Sequence, residues 1–560
     1  MSTIETFTPP GPGVWEREST HLTRPISRLC AEIFPAAATE GFRQGMARYG
    51  LLLDYLEFAV VNRFMYVCAR PVGAPKGAKG LPPKLIFKLM MKLHPELRRR
   101  VRTVAETFAT KRWREDVTRW DNEWKPAIRR ENSELQRVDL AALDEERLIA
   151  HLDRCFDATR RAVTRHHSLN ATAMLPLGDF LGSVREWTGL GPAEVLPLFR
   201  GSSRVSRGAT DELQALAKAI GASPDAATLL GGDDASTIVG LLTARTDAVG
   251  EAARRYLEMA GVRIATGYDI ADLTLGEMPE LIVENIRAAI AGLTASTNDV
   301  VQREAALREK VPAQHRAVFD ERLAEARLTY RMRDERGYDN DSWSFGIARR
   351  AVLEAGRRLV VKGRLHDPEH AVELTPTEIA EMLRGGKGRS ADEAAADAHF
   401  RTTHDYHDAP QFLGGTPGGP PPADWLPPAA ARAERAVAIV MAEMFSAHGK
   451  QKKDATITGF AASPGQVTGV ARLVLDPRDM ARVRKGDVLI TRATSPAYNA
   501  LLPLIGGVVT DRGGTLSHAA VVAREYGIPA VVGCGNATEL IRDGARVRVD
   551  GARGTIEVVA

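Results

Sequence analysis

The chain has 560 residues, 44% of them hydrophobic and 26% charged, with a net charge of +4. At roughly 150 residues per domain, this length and ordinary composition predict a globular protein of three or four domains. So small a net charge excludes an electrostatic nucleic-acid footprint. No apolar run reaches the length of a membrane span, because Leu51–Val61 is interrupted by Asp54 and Glu57. The N-terminus, Met1–Thr6, lacks the basic and apolar regions of a signal peptide. Cys30, Cys68, Cys155 and Cys534 form neither a metal-spaced pair nor a disulfide framework, which predicts a reducing, cytoplasmic setting.

In chain order, the first expected element of note is the basic stretch Pro83–Val101. It carries Lys84, Lys88, Lys92, Arg98, Arg99 and Arg100 beside an apolar face of Leu85, Ile86, Leu89, Met90 and Leu93. That pattern suits a membrane-surface helix, a dock for an acidic partner, or a bundle helix with a solvated basic face. Leu140, Leu143, Leu148, Leu152 and Phe156 recur at helical spacing. Helical periodicity returns over Arg331–Leu359. Val372–Leu374 reads as a short strand, and Thr375-Pro376-Thr377-Glu378 as a capping box opening a helix that Gly385 ends. Gly385–Ser390 lacks the spacing of a P-loop and reads as a helix end entering a linker. Gly414–Pro422 excludes regular structure. Ala429–Phe445 reads as a helix and Ser446–Asp454 as a flexible hinge. Strands follow at Thr468–Leu475, Val488–Thr491, Ile505–Thr510, Ala530–Gly533, Arg546–Val549 and Thr555–Val559, the last two joined by an Asp550-Gly551 hairpin.

The most specific stretch is Thr510–Ala530. An apolar strand runs into Gly513-Gly514, which permits a tight turn and close approach to the backbone. Ser517 fits an N-cap, and Ala519–Ala523 a short helix. His518 then occupies a helix N-terminus, where backbone N–H groups and the dipole favour an anion and disfavour imidazolium. A neutral, nucleophilic ring facing a phosphate cradle points to a phosphohistidine. Gly513, Gly514, Thr515 and Ser517 line that cradle, and Arg512 and Arg524 are candidate phosphate ligands.

The Gly-Gly, Ser-His-Ala-Ala-Val-Val-Ala-Arg and Gly-Ile-Pro-Ala-Val-Val-Gly elements resemble the phosphohistidine swivelling domain of PEP-utilising enzymes. That group includes pyruvate phosphate dikinase, PEP synthase, rifampicin phosphotransferase and phenylphosphate synthase. Leu516 stands where the dikinases carry threonine and is closer to the rifampicin phosphotransferase-like branch. The resemblance implies a multidomain α+β protein. Residues 1–385 are expected as a mainly helical acceptor-binding region, 386–454 as a Gly/Pro-rich linker, helix and hinge, and 455–560 as the swivelling β/β/α domain. Weaker likenesses cover Trp15–Pro25 with His21 and Arg24, Asn62–Tyr66 and Tyr330–Glu335. The last looks like the family's Arg-Glu region and makes Arg331, Arg333, Asp334 and Glu335 acceptor-site candidates, although Gly337 stands where a basic residue is expected. The same charges fit intra-helix pairs.

Family members join the histidine domain to an ATP-grasp module, a PEP-binding barrel or both, and neither is recognisable in this sequence. The expected function is therefore a phosphotransferase component. An ATP-grasp protein in trans, using ATP and Mg²⁺, phosphorylates His518, which passes the group to a hydroxyl on a fairly apolar acceptor. No metal site and no cofactor is expected in the chain itself. Two alternatives stay open: a non-catalytic phospho-carrier or regulator, and a degenerate binding protein. The sequence names neither the acceptor nor the donor subunit, and does not decide between ATP and PEP as ultimate donor.

Overall fold

The computed structural model describes residues 6–559 except 20, 79, 204–210, 292–298, 446–455, 476, 495–497, 499–500 and 502–503. The expected hinge at 446–454 lies outside the described residues. Helices predominate, with two sheets, and the chain divides into two interleaved units. The first holds Met1–Asp179, Tyr268–Ala271 and Asp339–Val437; the second holds Phe180–Gly267, Asp272–Tyr338 and Ala438–Ala560.

In the first unit, β1 (Trp15–Arg17), β2 (Leu53–Val61), β3 (Phe64–Pro71) and β4 (Phe412–Leu413) form an antiparallel sheet in the order β2-β3-β1-β4. Asn62 and Arg63, both at positive φ, make the two-residue turn between β2 and β3, and Val61 pairs with Phe64. Trp15, Phe64, Tyr66, Phe400 and Leu413 bury one face of this sheet. The helix Arg28–Tyr49 packs along β2 and against the helix Glu145–Ser168.

Several helix boundaries differ from those the periodicity suggests. Leu140 and Leu143 precede the helix, which Asp144 caps through a bond from the Arg147 N–H. Pro83–Val101 divides into Lys84–Leu93 and Pro95–Thr110, because Pro95 can start a helix but not continue one. Leu85, Ile86, Leu89 and Leu93 of the first piece are exposed, while Met91 is buried. Val372–Leu374 is not a strand. Asp367 and Pro368 start a 3₁₀ helix over Pro368–Glu373, which leads into the capping box of Pro376–Leu383. The periodic stretch after Arg331 is interrupted by a π-helical turn, Gly337–Asp341, before the helix Ser342–Val361.

In the second unit, β5 (Ile457–Thr458), β6 (Phe460–Ser463), β7 (Gln466–Leu473), β8 (Val488–Thr491), β9 (Gly507–Thr510), β10 (Ala530–Val532), β11 (Arg546–Asp550) and β12 (Thr555–Val559) form one sheet. Its order is β5-β12-β11-β7-β8-β9-β10-β6. The central β7, β8, β9 and β10 are parallel. These strands are apolar on both faces, as covered parallel strands must be. Leu489 and Val508 join a core that includes Ala519, Ala523, Met278 and Leu281, while Val488, Ile490 and Val509 join another with Val547 and Ile556. The strand order places the carboxyl ends of β8 and β9 side by side. No helix among the described residues is long and apolar enough to cross a membrane.

Candidate active site

The chain leaves β9 at Thr510, turns through Asp511–Ser517 and enters the helix His518–Tyr526. Gly513 adopts φ +97°, and a Cβ there would lie 2.5 Å from that of Ser517. A Cβ on Gly514 would lie 2.4 Å from the Glu443 carbonyl oxygen. Both positions therefore require glycine, one for its torsion and one for close approach. Ser517 has the extended backbone of an N-cap (φ −63°, ψ 160°), yet its side chain makes no capping bond. Its Oγ is buried without a hydrogen-bond partner among the described residues, a donor poised for an external acceptor.

His518 is the first helical residue and is half-buried. The helix's first internal bond runs from the Val521 N–H to the Ser517 carbonyl at 3.0 Å. The amides of Ala519 and Ala520 precede it and stand at the positive end of the dipole. His518 Nδ1 lies 3.0 Å from Thr494 Oγ1. In the tautomer whose Nδ1–H donates to this hydroxyl the lone pair is on Nε2; in the other the hydroxyl donates to Nδ1. A helix N-terminus, a threonine hydroxyl on Nδ1 and a serine hydroxyl without a hydrogen-bond partner among the described residues thus converge on one imidazole.

The other predicted residues divide by placement. Arg512 is half-buried at the carboxyl end of β9, and its N–H donates to the Arg492 carbonyl at 2.9 Å. Arg492 follows β8, so two arginines occupy neighbouring ends of parallel strands. Thr515 donates its hydroxyl to the Glu443 carboxylate, while the Leu516 and Gly514 amides bond the carbonyls of Glu443 and Met444 at 2.7 and 3.3 Å. The loop is thereby clamped to the last turn of the helix Pro428–Phe445, and Thr515 serves the clamp rather than the cradle.

Arg524 is only 3% exposed and donates to the Ala462 carbonyl at 3.0 Å. It lies six residues beyond His518, about 240° around the helix at ~100° per residue, and so faces inward. Burial pushes its guanidinium below the usual arginine range, and the Tyr330 hydroxyl beside it opposes that shift. Burial pushes Tyr330 itself up. Asp511 is also buried, which raises its carboxyl above the ordinary value while the Thr538 N–H donates to it at 3.0 Å.

Among the acceptor candidates, Arg333 reaches the site, donating to the Leu516 carbonyl and lying 5.9 Å from the Tyr330 ring. Arg331 pairs with Glu335 at 3.0 Å within its own helix, four residues on, and Asp334 is half-buried. His21 and Arg24 belong to the first unit, where His21 contacts Glu18 at 3.1 Å and the edge of Tyr268. Among the described residues, no group of three or more His, Cys, Asp or Glu side chains is arranged to hold a metal. Thr494, Glu443 and Arg492 were not legible as site residues. The available signal was topological: Arg492 and Thr494 follow a strand parallel to the one feeding His518.

Comparison with known proteins gives two family matches. The mobile domain of PEP-utilising enzymes matches residues 483–554, and the fourth domain of rifampicin phosphotransferase matches 167–335. A rifampicin phosphotransferase from a Streptomyces species is 30% identical over 478 residues, covering 78% of this chain and 51% of that protein. A chondramide synthase from Chondromyces crocatus is 27% identical over 580 residues, covering 98% of this chain and 14% of that protein. A probable phosphoenolpyruvate synthase from Staphylothermus marinus is 46% identical over 102 residues, covering 18% of this chain and 12% of that protein. The chain thus spans about half, or less, of these relatives.

Proposed function

The chain belongs to the PEP-utilising enzyme family, in its rifampicin phosphotransferase-like branch, and from that premise we propose that it is a phosphotransferase component carrying a phosphoryl group on His518. The observation that carries this reading is the setting of His518: a helix N-terminus, with Nδ1 3.0 Å from Thr494 Oγ1. In the tautomer whose Nδ1–H donates to Thr494, Nε2 is the nucleophile. The phosphoryl group it receives meets the amides of the first turn and the hydroxyl of Ser517, with Arg512 beside it. Arg333 and Glu443 hold the loop in register. Covalent catalysis divides one difficult transfer into two easier ones, and positioning with charge neutralisation is most of what phosphoryl transfer needs.

The donor site is supplied in trans by an ATP-grasp protein, which binds ATP with its Mg²⁺. The acceptor is a hydroxyl on a largely apolar molecule, a class suggested by the name of the Streptomyces relative. The His518 domain acts as a swivelling carrier between donor and acceptor.

Intact-protein mass under non-acidic conditions tests this. Wild type and His518→Ala are incubated with ATP and Mg²⁺, with PEP, and with ATP plus the ATP-grasp protein encoded nearest the gene. One phosphoryl group on wild type alone, and only with the partner, is expected. Labelling by ATP or PEP alone contradicts the divided arrangement, and labelling of His518→Ala contradicts the assignment of His518.

A further inference from the structure

We propose that the helix Lys84–Leu93 is a membrane-docking element that lays its outer face into an anionic phospholipid surface, whatever the chemistry of His518. Pro83 precedes this helix and Pro95 opens the next, Pro95–Thr110, so ten residues form a separate helix ~15 Å long. At ~100° per residue, Phe87, Met90 and Met91 share one side. Met91 is buried, and Phe87 and Met90 pack against a core that includes Met46, Leu97 and Ala430. Phe87 also meets the Trp425 ring at 5.7 Å, and Lys84 pairs with Asp424 at 2.5 Å. One side therefore anchors the helix to the first unit.

Leu85, Ile86, Leu89 and Leu93 fall within an arc of about 100° on another side. With Leu81, just before the helix, they are 41–83% exposed. Elsewhere among the described residues, exposed large apolar side chains occur singly or in pairs along an element. The concentration here exceeds ordinary surface scatter and marks an interaction face. Lys84, Lys88 and Lys92, spaced four apart, are exposed along the adjoining arc of about 80°. Arg98, Arg99 and Arg102 of the next helix are exposed as well. Residues 84–110 carry seven basic and two acidic side chains, a larger surplus than the +4 of the whole chain.

Stripe and charge together select the occupant. A second copy of the chain seated on this face would set lysine against lysine. The outer face of a ten-residue helix also falls well short of the ~800 Å² that each partner buries in a standard protein interface. A bilayer needs no matching shape. The leucines enter the boundary between headgroups and acyl chains, the lysine stems lie along it, and the ammonium groups meet lipid phosphates. Apolar burial and charge attraction both contribute, so removal of either weakens docking.

The test uses the full chain and extruded vesicles of phosphatidylcholine, alone or with about 30% phosphatidylglycerol to supply the anionic surface. Wild type is expected to float with the anionic vesicles, and at least tenfold less with phosphatidylcholine alone or at high salt. Leu85→Ser with Leu89→Ser is expected to weaken binding by at least tenfold. Lys88→Gln with Lys92→Gln is expected to weaken it about twenty-five-fold, at roughly fivefold per cation. All four side chains are exposed, so thermal midpoints are expected to stay at the wild-type value. Insertion is read separately. The four native cysteines are buried, so a thiol-directed, polarity-sensitive dye reports on Leu93→Cys. Its emission is expected to shift to the blue with anionic vesicles, while the same dye on Gln214→Cys, an exposed position of the second unit, stays unmoved. No flotation with anionic vesicles, or an unshifted dye on Leu93→Cys, overturns the proposal. Binding that survives the leucine substitutions but not the lysine ones marks a dock for an acidic polypeptide instead and overturns it too. So does a lipid-free dimer in sedimentation that Leu85→Ser with Leu89→Ser dissolves, because a second copy then covers the stripe.

Discussion

His518 and His166 sit at opposite ends of their helices. His518 opens the helix His518–Tyr526, where the dipole and exposed amides oppose a cation and welcome an anion. His166 lies in the last turn of Glu145–Ser168, where the dipole favours a cation, and Asp341 adds a carboxylate at 2.5 Å. Thr494 Oγ1 lies 3.0 Å from Nδ1 of His518, and Asp341 Oδ2 lies 2.5 Å from Nδ1 of His166. The first setting favours a nearby anion and the second a cation. Helix polarity thus gives the same residue type two different electrostatic surroundings.

The comparison breaks most completely with His518→Ala, which is expected to abolish labelling in the intact-mass experiment. Next in size is Gly514→Ala. Its methyl would lie 2.4 Å from the Glu443 carbonyl oxygen, and backbone displacement of this kind costs about 1–3 kcal/mol. Thermal denaturation is expected to register that loss, and the labelling rate to fall with it. Thr494→Val sharpens the contrast, because it removes the hydroxyl 3.0 Å from His518 Nδ1. A neutral hydrogen bond contributes roughly 1 kcal/mol, so labelling is expected to slow by about fivefold with stability nearly unchanged. An unaltered rate would remove Thr494 from the account.

The smallest effect concerns Asp511, buried under the His518 loop. Its carboxyl is raised by burial, so the folded state binds the proton more tightly than the unfolded chain. Its contribution is full below the unfolded value of about 3.9 and declines as pH rises through the raised folded value. Asp511→Asn is expected to flatten the pH dependence of the denaturation midpoint above pH ~4. A slope equal to wild type would place the titration elsewhere.

The region around His518 was largely readable from sequence because it is local. Val488–Thr491 and Thr555–Val559 appear in the structure with the bounds the apolar runs indicated, and the turn, cap and helix of 513–526 follow from adjacent residues. What escaped depends on contacts between distant segments. Thr494 and Glu443 reach the loop only once β8 pairs with β9 and the helix Pro428–Phe445 docks. Helical phase alone showed that Arg524 leaves the face of His518, since six residues carry it about 120° away around the helix. In the first unit the signals are weaker: Pro95 divides a continuous amphipathic pattern, Pro368 starts a 3₁₀ helix where Val372–Leu374 suggested a strand, and His166 meets Asp341 across 175 residues of chain.

The central claim is that phosphoryl transfer passes through Nε2 of His518. Phosphorus–proton correlation NMR on the chain loaded under non-acidic conditions tests it most directly, because it distinguishes the two ring nitrogens and separates them from hydroxyl esters. The account predicts a single phosphohistidine on Nε2 that is absent from His518→Ala. A phosphoryl group on Nδ1, or an ester on Ser517 or Thr515, would contradict it.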